Sequence, residues 1–180
     1  MCFCILGVLM ENSNSKIECP VCHKFMDFTA FPYNTPNYGE ILIMIISCPS
    51  CNYKDVSITS FKSSNPKRII FKVENKDDLF VRVIKSEACT VSIPELNIVI
   101  EPCSKSQIMV TNIEGLLNWI KDLILEAKVI LESDEGKLKC LEIVRKIDDT
   151  INGRYILTII LEDTSGNSIL LSDKANVEDY

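Results

Sequence analysis

Two short cysteine pairs constrain this chain more than any other feature. Cys19-Pro20-Val21-Cys22 and Cys48-Pro49-Ser50-Cys51 share the form C-P-x-C, with twenty-five residues between them. A C-x₂-C turn points two sulfurs inward from one tight knuckle, and two knuckles complete a tetrahedron around Zn²⁺. The gap is longer than usual for such a site, so the residues within it must form structure of their own. Phe25 to Phe31 and Ile41 to Ile46 are β-prone runs separated by Pro32, Pro36 and Gly39, which predicts the two arms of a zinc-ribbon hairpin.

Two other readings compete for these cysteines. Cys19-Pro-Val-Cys22-His23 also fits the C-x-x-C-H haem-attachment pattern, but that leaves the second pair unexplained and needs export. A redox-active disulfide pair is the other alternative. Zinc accounts for both pairs at once. Four thiolates leave no open coordination position, so the expected ion is structural, one per chain, held by Cys19, Cys22, Cys48 and Cys51.

At 180 residues the chain has room for one ordinary domain and a small module. A hydrophobic content of 47% and a mean hydropathy of +0.15 predict a substantial core. The formal charge of −6 disfavours a protein that grips nucleic acid through phosphates, since that needs clustered Lys and Arg. Lys62 to Arg68 is the single short basic cluster and reads as a solvated loop. Of nine cysteines, Cys2, Cys4, Cys89, Cys103 and Cys140 show no pairing pattern, which fits a reduced, cytoplasmic setting. Met1 to Met10 is apolar, yet it lacks a basic flank and a cleavage site and is too short to span a bilayer. Residues 1–15 are expected to be a disordered or mis-started tail, and no membrane association is expected.

The expected layout is a ribbon over residues 16–62 and a β domain over 63–180. Val56, Ile58 and Phe61 alternate as in a half-buried strand, and Ser63 to Pro66 marks the boundary. Short strands are predicted at Arg68–Val73, Leu79–Lys85, Cys89–Ile93, Asn97–Glu101 and Gln107–Thr111. The period then changes. Thr111-x-x-Glu114 reads as a capping box, followed by an apolar stripe from Ile113 to Leu131 and a second helix over Lys137 to Asn152, with Gly153 as its left-handed cap. Leu125 and Val129 lie opposite the stripe and are expected to be buried on the sheet; if exposed, they form an apolar contact surface. Strands return at Arg154–Leu161 and Ser168–Leu171, and Asp173 to Tyr180 reads as a frayed end.

With these blocks in place the chain resembles the Zpr-type zinc-finger proteins, in particular single-module archaeal forms, from Cys19 to about Asp173. The two C-P-x-C knuckles carry the resemblance, together with Pro36-Asn-Tyr38-Gly39-Glu40-Ile41, Arg82-Val-Ile-Lys85-Ser86, Ile93-Pro94-Glu95-Leu96, Thr111-Asn-Ile-Glu114-Gly115 and Asp163-Thr-Ser-Gly166-Asn167-Ser168. His23 and Asn52 stand where the family usually has glycine after each knuckle, Thr164 replaces a usual proline, and Cys103 to Ser106 lacks an expected glycine. The resemblance implies a mainly β fold with an α insertion: a zinc ribbon plus a double-stranded β-helix (jelly-roll-like) domain carrying a helical hairpin at about 111–152. It also implies a function, because eukaryotic members bind translation elongation factor 1-alpha and assist its folding.

The function expected here is therefore a non-enzymatic, monomeric, zinc-binding protein or chaperone for elongation factor 1-alpha. The alternative is a nucleic-acid-binding zinc ribbon of transcription or translation, which the charge balance opposes. Catalysis on a β-helix scaffold calls for a histidine set, and His23 is the only histidine. Tyr38, Gly39, Glu40, Arg82, Lys85, Ser86, Pro94, Glu95, Asp163, Gly166 and Asn167 are polar or turn residues within the family-like blocks. They are the candidate partner surface, with internal turn chemistry as the competing role.

Overall fold

In the computed structural model, which describes residues 17–35, 39–60, 64–103 and 106–179, two modules follow one another along the chain. The expected tail, Pro36 to Tyr38, Phe61 and Lys62 lie outside those residues. The first module is a four-stranded antiparallel sheet in chain order: β1 (Ile17–Glu18), β2 (Phe25–Thr35), β3 (Gly39–Ser47) and β4 (Lys54–Ser60). The β2–β3 hairpin runs in unbroken register from Asp27↔Ser47 to Thr35↔Gly39. Its two arms are those expected from the apolar runs.

The second module is built on strands that alternate buried and half-buried residues. These are β5 (Lys67–Val73), β6 (Arg82–Lys85), β7 (Cys89–Ile93), β8 (Ile98–Ile100), β9 (Met109–Asn112), β10 (Leu157–Asp163), β11 (Ile169–Leu170) and β12 (Asn176–Asp179). A five-stranded sheet in the order β12-β5-β10-β7-β8 faces a three-stranded sheet, β11-β6-β9. Leu157, Ile159 and Leu161 of β10 point into the core with Phe71, Val91 and Ile93. The result is a curled, jelly-roll-like β fold with a helical insertion. A small isoleucine cluster joins the modules, with Ile41, Ile43 and Ile58 of the ribbon against Ile84, Ile108 and Ile169 of the roll.

The helical hairpin consists of α1 (Ile113–Ile130) and α2 (Asp134–Ile151). Its start differs from the expected capping box. Asn112 is the N-cap, its side chain accepting from the Gly115 N–H at 2.8 Å, while Thr111 still belongs to β9. Thr111 Oγ1 sits where a Cβ on residue 115 would go, which explains the glycine there. Asn112→Ala should therefore destabilise the protein by about 1 kcal/mol, and Thr111→Ala should cost no cap; paired urea denaturation curves check this. α2 starts earlier than expected, capped by Ser133. It ends in a Schellman arrangement, with Gly153 N–H to Thr150 and Arg154 N–H to Asp149 at a left-handed Gly153 (φ 75°).

Three further expectations are corrected. Leu79 to Lys85 is not one strand, because residues 77–80 form a 3₁₀ turn. Asn75 Oδ1 accepts from the Asp77 and Asp78 N–H groups, and the Asp78 carboxylate accepts from those of Glu74 and Asn75. The polar C-terminal stretch is not frayed, since β12 pairs with β5 as an edge strand whose side chains all face water. Finally, Leu125 and Val129 are not buried on the sheet. Each helix of 18 residues is about 27 Å long, and only the roots of the hairpin (Ile113, Leu116, Leu117 and Ile120; Ile147 and Thr150) are buried. The far half projects from the roll.

Candidate metal centre and signature turns

The knuckles repeat one backbone pattern. The first cysteine of each donates its N–H five residues on (Cys19 to the Lys24 carbonyl, 2.8 Å; Cys48 to Tyr53, 2.7 Å). Its own carbonyl accepts from the residue after the second cysteine (His23 N–H, 3.0 Å; Asn52 N–H, 2.9 Å). Closing each turn needs a left-handed residue at that point, and His23 (φ 58°) and Asn52 (φ 60°) supply it in place of glycine. His23 is otherwise solvent-exposed beside Glu18, with Nδ1 3.1 Å from the carboxylate.

These turns bring the four sulfurs together. Cys19 Sγ lies 3.6 Å from Cys51 Sγ, Cys22 Sγ lies 3.4 Å from Cys48 Sγ, and all four ligand atoms fall within 4.8 Å of one another. A tetrahedron with Zn–S bonds of about 2.3 Å puts sulfurs about 3.8 Å apart, so the cluster fits the ion. Without a cation the four thiolates repel. Backbone hydrogen bonding favours ionised Cys51, but burial and the sulfurs of Cys22, Cys19 and Cys48 outweigh it and push that thiol up to about 12. Burial also opposes ionised Cys48, yet N–H groups of Cys51 and Ser50 draw it down to about 6. A divalent cation is what lets all four ionise together. Met26 packs beneath the cluster, with Ile17, Ile46 and Tyr53 partly buried around it. Four cysteines able to hold a metal ion thus stand at one end of the ribbon.

The remaining candidate residues separate into buried and exposed sets. Ser86, Asp163, Gly166 and Asn167 are buried and Tyr38 lies outside the described residues. Asp163 takes the last inward position of β10. Its carboxylate accepts from Ser165 N–H (2.9 Å), Ser165 Oγ–H (2.7 Å) and Ser168 N–H (2.5 Å). Ser86 N–H donates to Ser168 Oγ, and Ser165 Oγ reaches Ser86 Oγ. Ser165 also accepts from Ser64 N–H at 2.8 Å, which pins the connection between the two modules. These residues build the turn from within, which is the internal turn chemistry named as their competing role. Lys85 is buried too, its Nζ bonded to the Ser86 carbonyl at 2.9 Å. Glu40, Arg82, Pro94 and Glu95 are exposed, and Gly39 is half-buried at the start of β3. Glu95 already accepts from Thr158 N–H and Oγ–H, which ties its turn to β10.

Two buried carboxylates make the roll acid-sensitive. Burial alone raises the Asp163 carboxyl, but the Ser168, Ser165 and Ser86 hydrogen bonds more than reverse it and hold it below the usual range. Asp78 behaves likewise: burial opposes its ionisation, and the Lys174 ammonium at 2.8 Å with the Glu74 and Asn75 N–H groups prevails. A folded pKa below the unfolded one means stability present above about pH 4 and lost as pH falls through the folded values. Urea midpoints read by the fluorescence of the single tryptophan, Trp119, should be level from pH 7 to 5 and fall at pH 3. Asp163→Asn should flatten part of that fall.

At the far end of the hairpin the exposed alternative holds for Leu125 and Val129, and the sequence did not single out Ile130, Leu138 or Leu141 beside them as exposed. Val129 is 82% exposed, Ile130 81% and Leu138 66%, with Leu125 and Leu141 beside them less so. The available signal was length: the apolar stripe outruns the sheet it covers.

Comparison with known proteins agrees with this architecture. Residues 13–65 match the ZPR1 zinc-finger domain and residues 77–180 the ZPR1 jelly-roll domain. An uncharacterised ZPR1-like protein of Pyrococcus horikoshii is 31% identical over 166 residues, covering 87% of this chain and 73% of that one. A second, from Methanocaldococcus jannaschii, is 30% identical, covering 94% and 86%. The zinc finger chaperone zpr1 of Schizosaccharomyces pombe is 33% identical over 74% of this chain, which spans only 29% of that protein. Knuckles, roll and relatives agree: the chain belongs to the ZPR1 zinc-finger family.

Proposed function

We propose that this protein is a non-enzymatic, cytoplasmic chaperone that binds translation elongation factor 1-alpha, with one structural Zn²⁺ on Cys19, Cys22, Cys48 and Cys51. The observation that carries the reading is the apolar far end of the hairpin, where Val129, Ile130 and Leu138 stand in water on a projecting pair of helices. A chaperone that recognises an incompletely packed client needs such a surface, and a solvated protein otherwise tends to cover it. The relative named as a chaperone and the family's eukaryotic behaviour favour the same reading. The site chemistry supports the non-enzymatic part of the reading: four cysteine ligands would leave a bound metal no open position, and His23, the one histidine of the chain, is exposed beside Glu18.

The test is a binding titration of the purified factor with the wild type and with Val129→Asp/Ile130→Asp/Leu138→Asp. These positions are exposed, so the triple variant should keep its fold and metal content while its affinity falls about a hundredfold. Unchanged affinity would remove the hairpin from the interface. Tight RNA binding that survives moderate salt would replace the reading with a nucleic-acid one.

A further inference from the structure

Two of the sulfur contacts in the metal centre cross from one knuckle to the other: Cys19 Sγ to Cys51 Sγ at 3.6 Å, and Cys22 Sγ to Cys48 Sγ at 3.4 Å. Each joins unlike partners. Cys22 and Cys51 are half-buried, so a small solute reaches them from water, whereas Cys48 and Cys19 are buried (2% and 0% exposed). The Val21 N–H, 3.4 Å from the Cys19 sulfur, helps hold that thiol beneath its turn. A reachable thiol beside a shielded one lets an oxidised sulfur be resolved by its neighbour before it is oxidised further.

We propose that the metal centre is also an oxidant-responsive site, at which hydrogen peroxide joins Cys22 to Cys48 and Cys51 to Cys19. This inference rests on the four-cysteine metal reading and not on the chaperone one. The half-exposed sulfur attacks peroxide: an S–O bond forms, the O–O bond breaks, and the leaving hydroxide takes up a proton as water. That sulfur is oxidised to a sulfenic acid and the peroxide is reduced. The buried sulfur beside it then attacks, forming the S–S bond, breaking the S–O bond and releasing a second water once the hydroxide is protonated. For the two pairs together, four thiolates, two peroxides and four protons give two disulfides and four waters, and no thiolate remains for a metal ion. The two bonds link residues 32 and 26 positions apart, so the oxidised ribbon stays closed without metal. A disulfide inside one C-P-x-C turn leaves the knuckles unlinked.

Zinc-loaded wild-type protein titrated with hydrogen peroxide tests this, with released zinc read by a chromogenic chelator and disulfides mapped by tandem mass spectrometry. Fragmentation before Pro20 and Pro49 parts the two cysteines of each knuckle, so each partner is read individually. Zinc release should rise in step with the Cys22–Cys48 and Cys19–Cys51 disulfides, and dithiothreitol with added zinc should reverse both. In the oxidised, metal-free protein the β2 and β3 amides should exchange at least about tenfold more slowly than in reduced protein stripped by a chelator. Any other pairing among the four, disulfides to Cys2, Cys4, Cys89, Cys103 or Cys140, or sulfinic acids without a disulfide would each overturn the proposal. Protein that takes up no zinc before peroxide fails the metal reading instead, and its disulfides are mapped by the same procedure and judge the pairing separately.

Discussion

Cys22→Ser is expected to release the metal and unfold the ribbon while the roll stays folded. A serine hydroxyl is no substitute for a thiolate, and three ligands hold zinc far less firmly than four. The ribbon has little else to rely on, because among the described residues its metal end buries only Cys19, Met26 and Cys48. Structural zinc contributes on the order of 10 kcal/mol to folding such modules. Hydrogen exchange should show β2 and β3 losing protection, with metal content near zero. The roll keeps its own core around Phe71, Leu116 and Leu161, so the Trp119 unfolding transition should remain cooperative. It should shift to lower denaturant, because Ile84 and Ile169 lose Ile41 and Ile58 as neighbours. Loss of that transition would mean that ribbon and roll fold as one unit.

Gly166→Ala should be the most damaging single-methyl change in the roll. Gly166 has φ 67°, and a Cβ there would collide with the Asn65 carbonyl oxygen and approach the Ser64 carbonyl carbon at 2.9 Å. Those are backbone atoms of the connection between the modules, which a rotamer change does not move aside. Left-handed strain and overpacking together cost about 3 kcal/mol. Gly153→Ala is the control: it carries similar strain (φ 75°) but meets only the flexible Lys76 side chain at 3.4 Å, and should cost about 1 kcal/mol. The difference between the two urea midpoints isolates the clash at the linker.

The parts of this fold that were legible in the sequence are those that local chemistry specifies. Paired cysteines locate the knuckles, alternation marks β7 and β10, and three-and-four spacing marks α1 and α2. The misreadings arise where tertiary packing decides. Asn112 and Thr111 are both competent caps, and β9 claims Thr111 by pairing it with Val83. β12 is exposed on both faces and has a single apolar residue, Val177, so no alternation marks it and only its backbone pairing with β5 makes it a strand. Asp163 and Ser86 look like surface polar residues, yet alternation carries Asp163 inward, where neighbouring serines satisfy its carboxylate. The apolar stripe of α1 fixes a helix face but not how far the core extends along it.

The central claim is that this chain acts by binding a conformation of its client. A partner that binds every state of a switch protein equally shifts none of them. Purified protein titrated against elongation factor 1-alpha in its nucleotide-free, GDP and GTP forms measures this most directly. A stoichiometric complex is expected, with affinity differing by at least about tenfold among the three forms and no turnover of nucleotide by this chain. Absence of binding to all three forms by metal-loaded protein, or equal affinity for each, would contradict it.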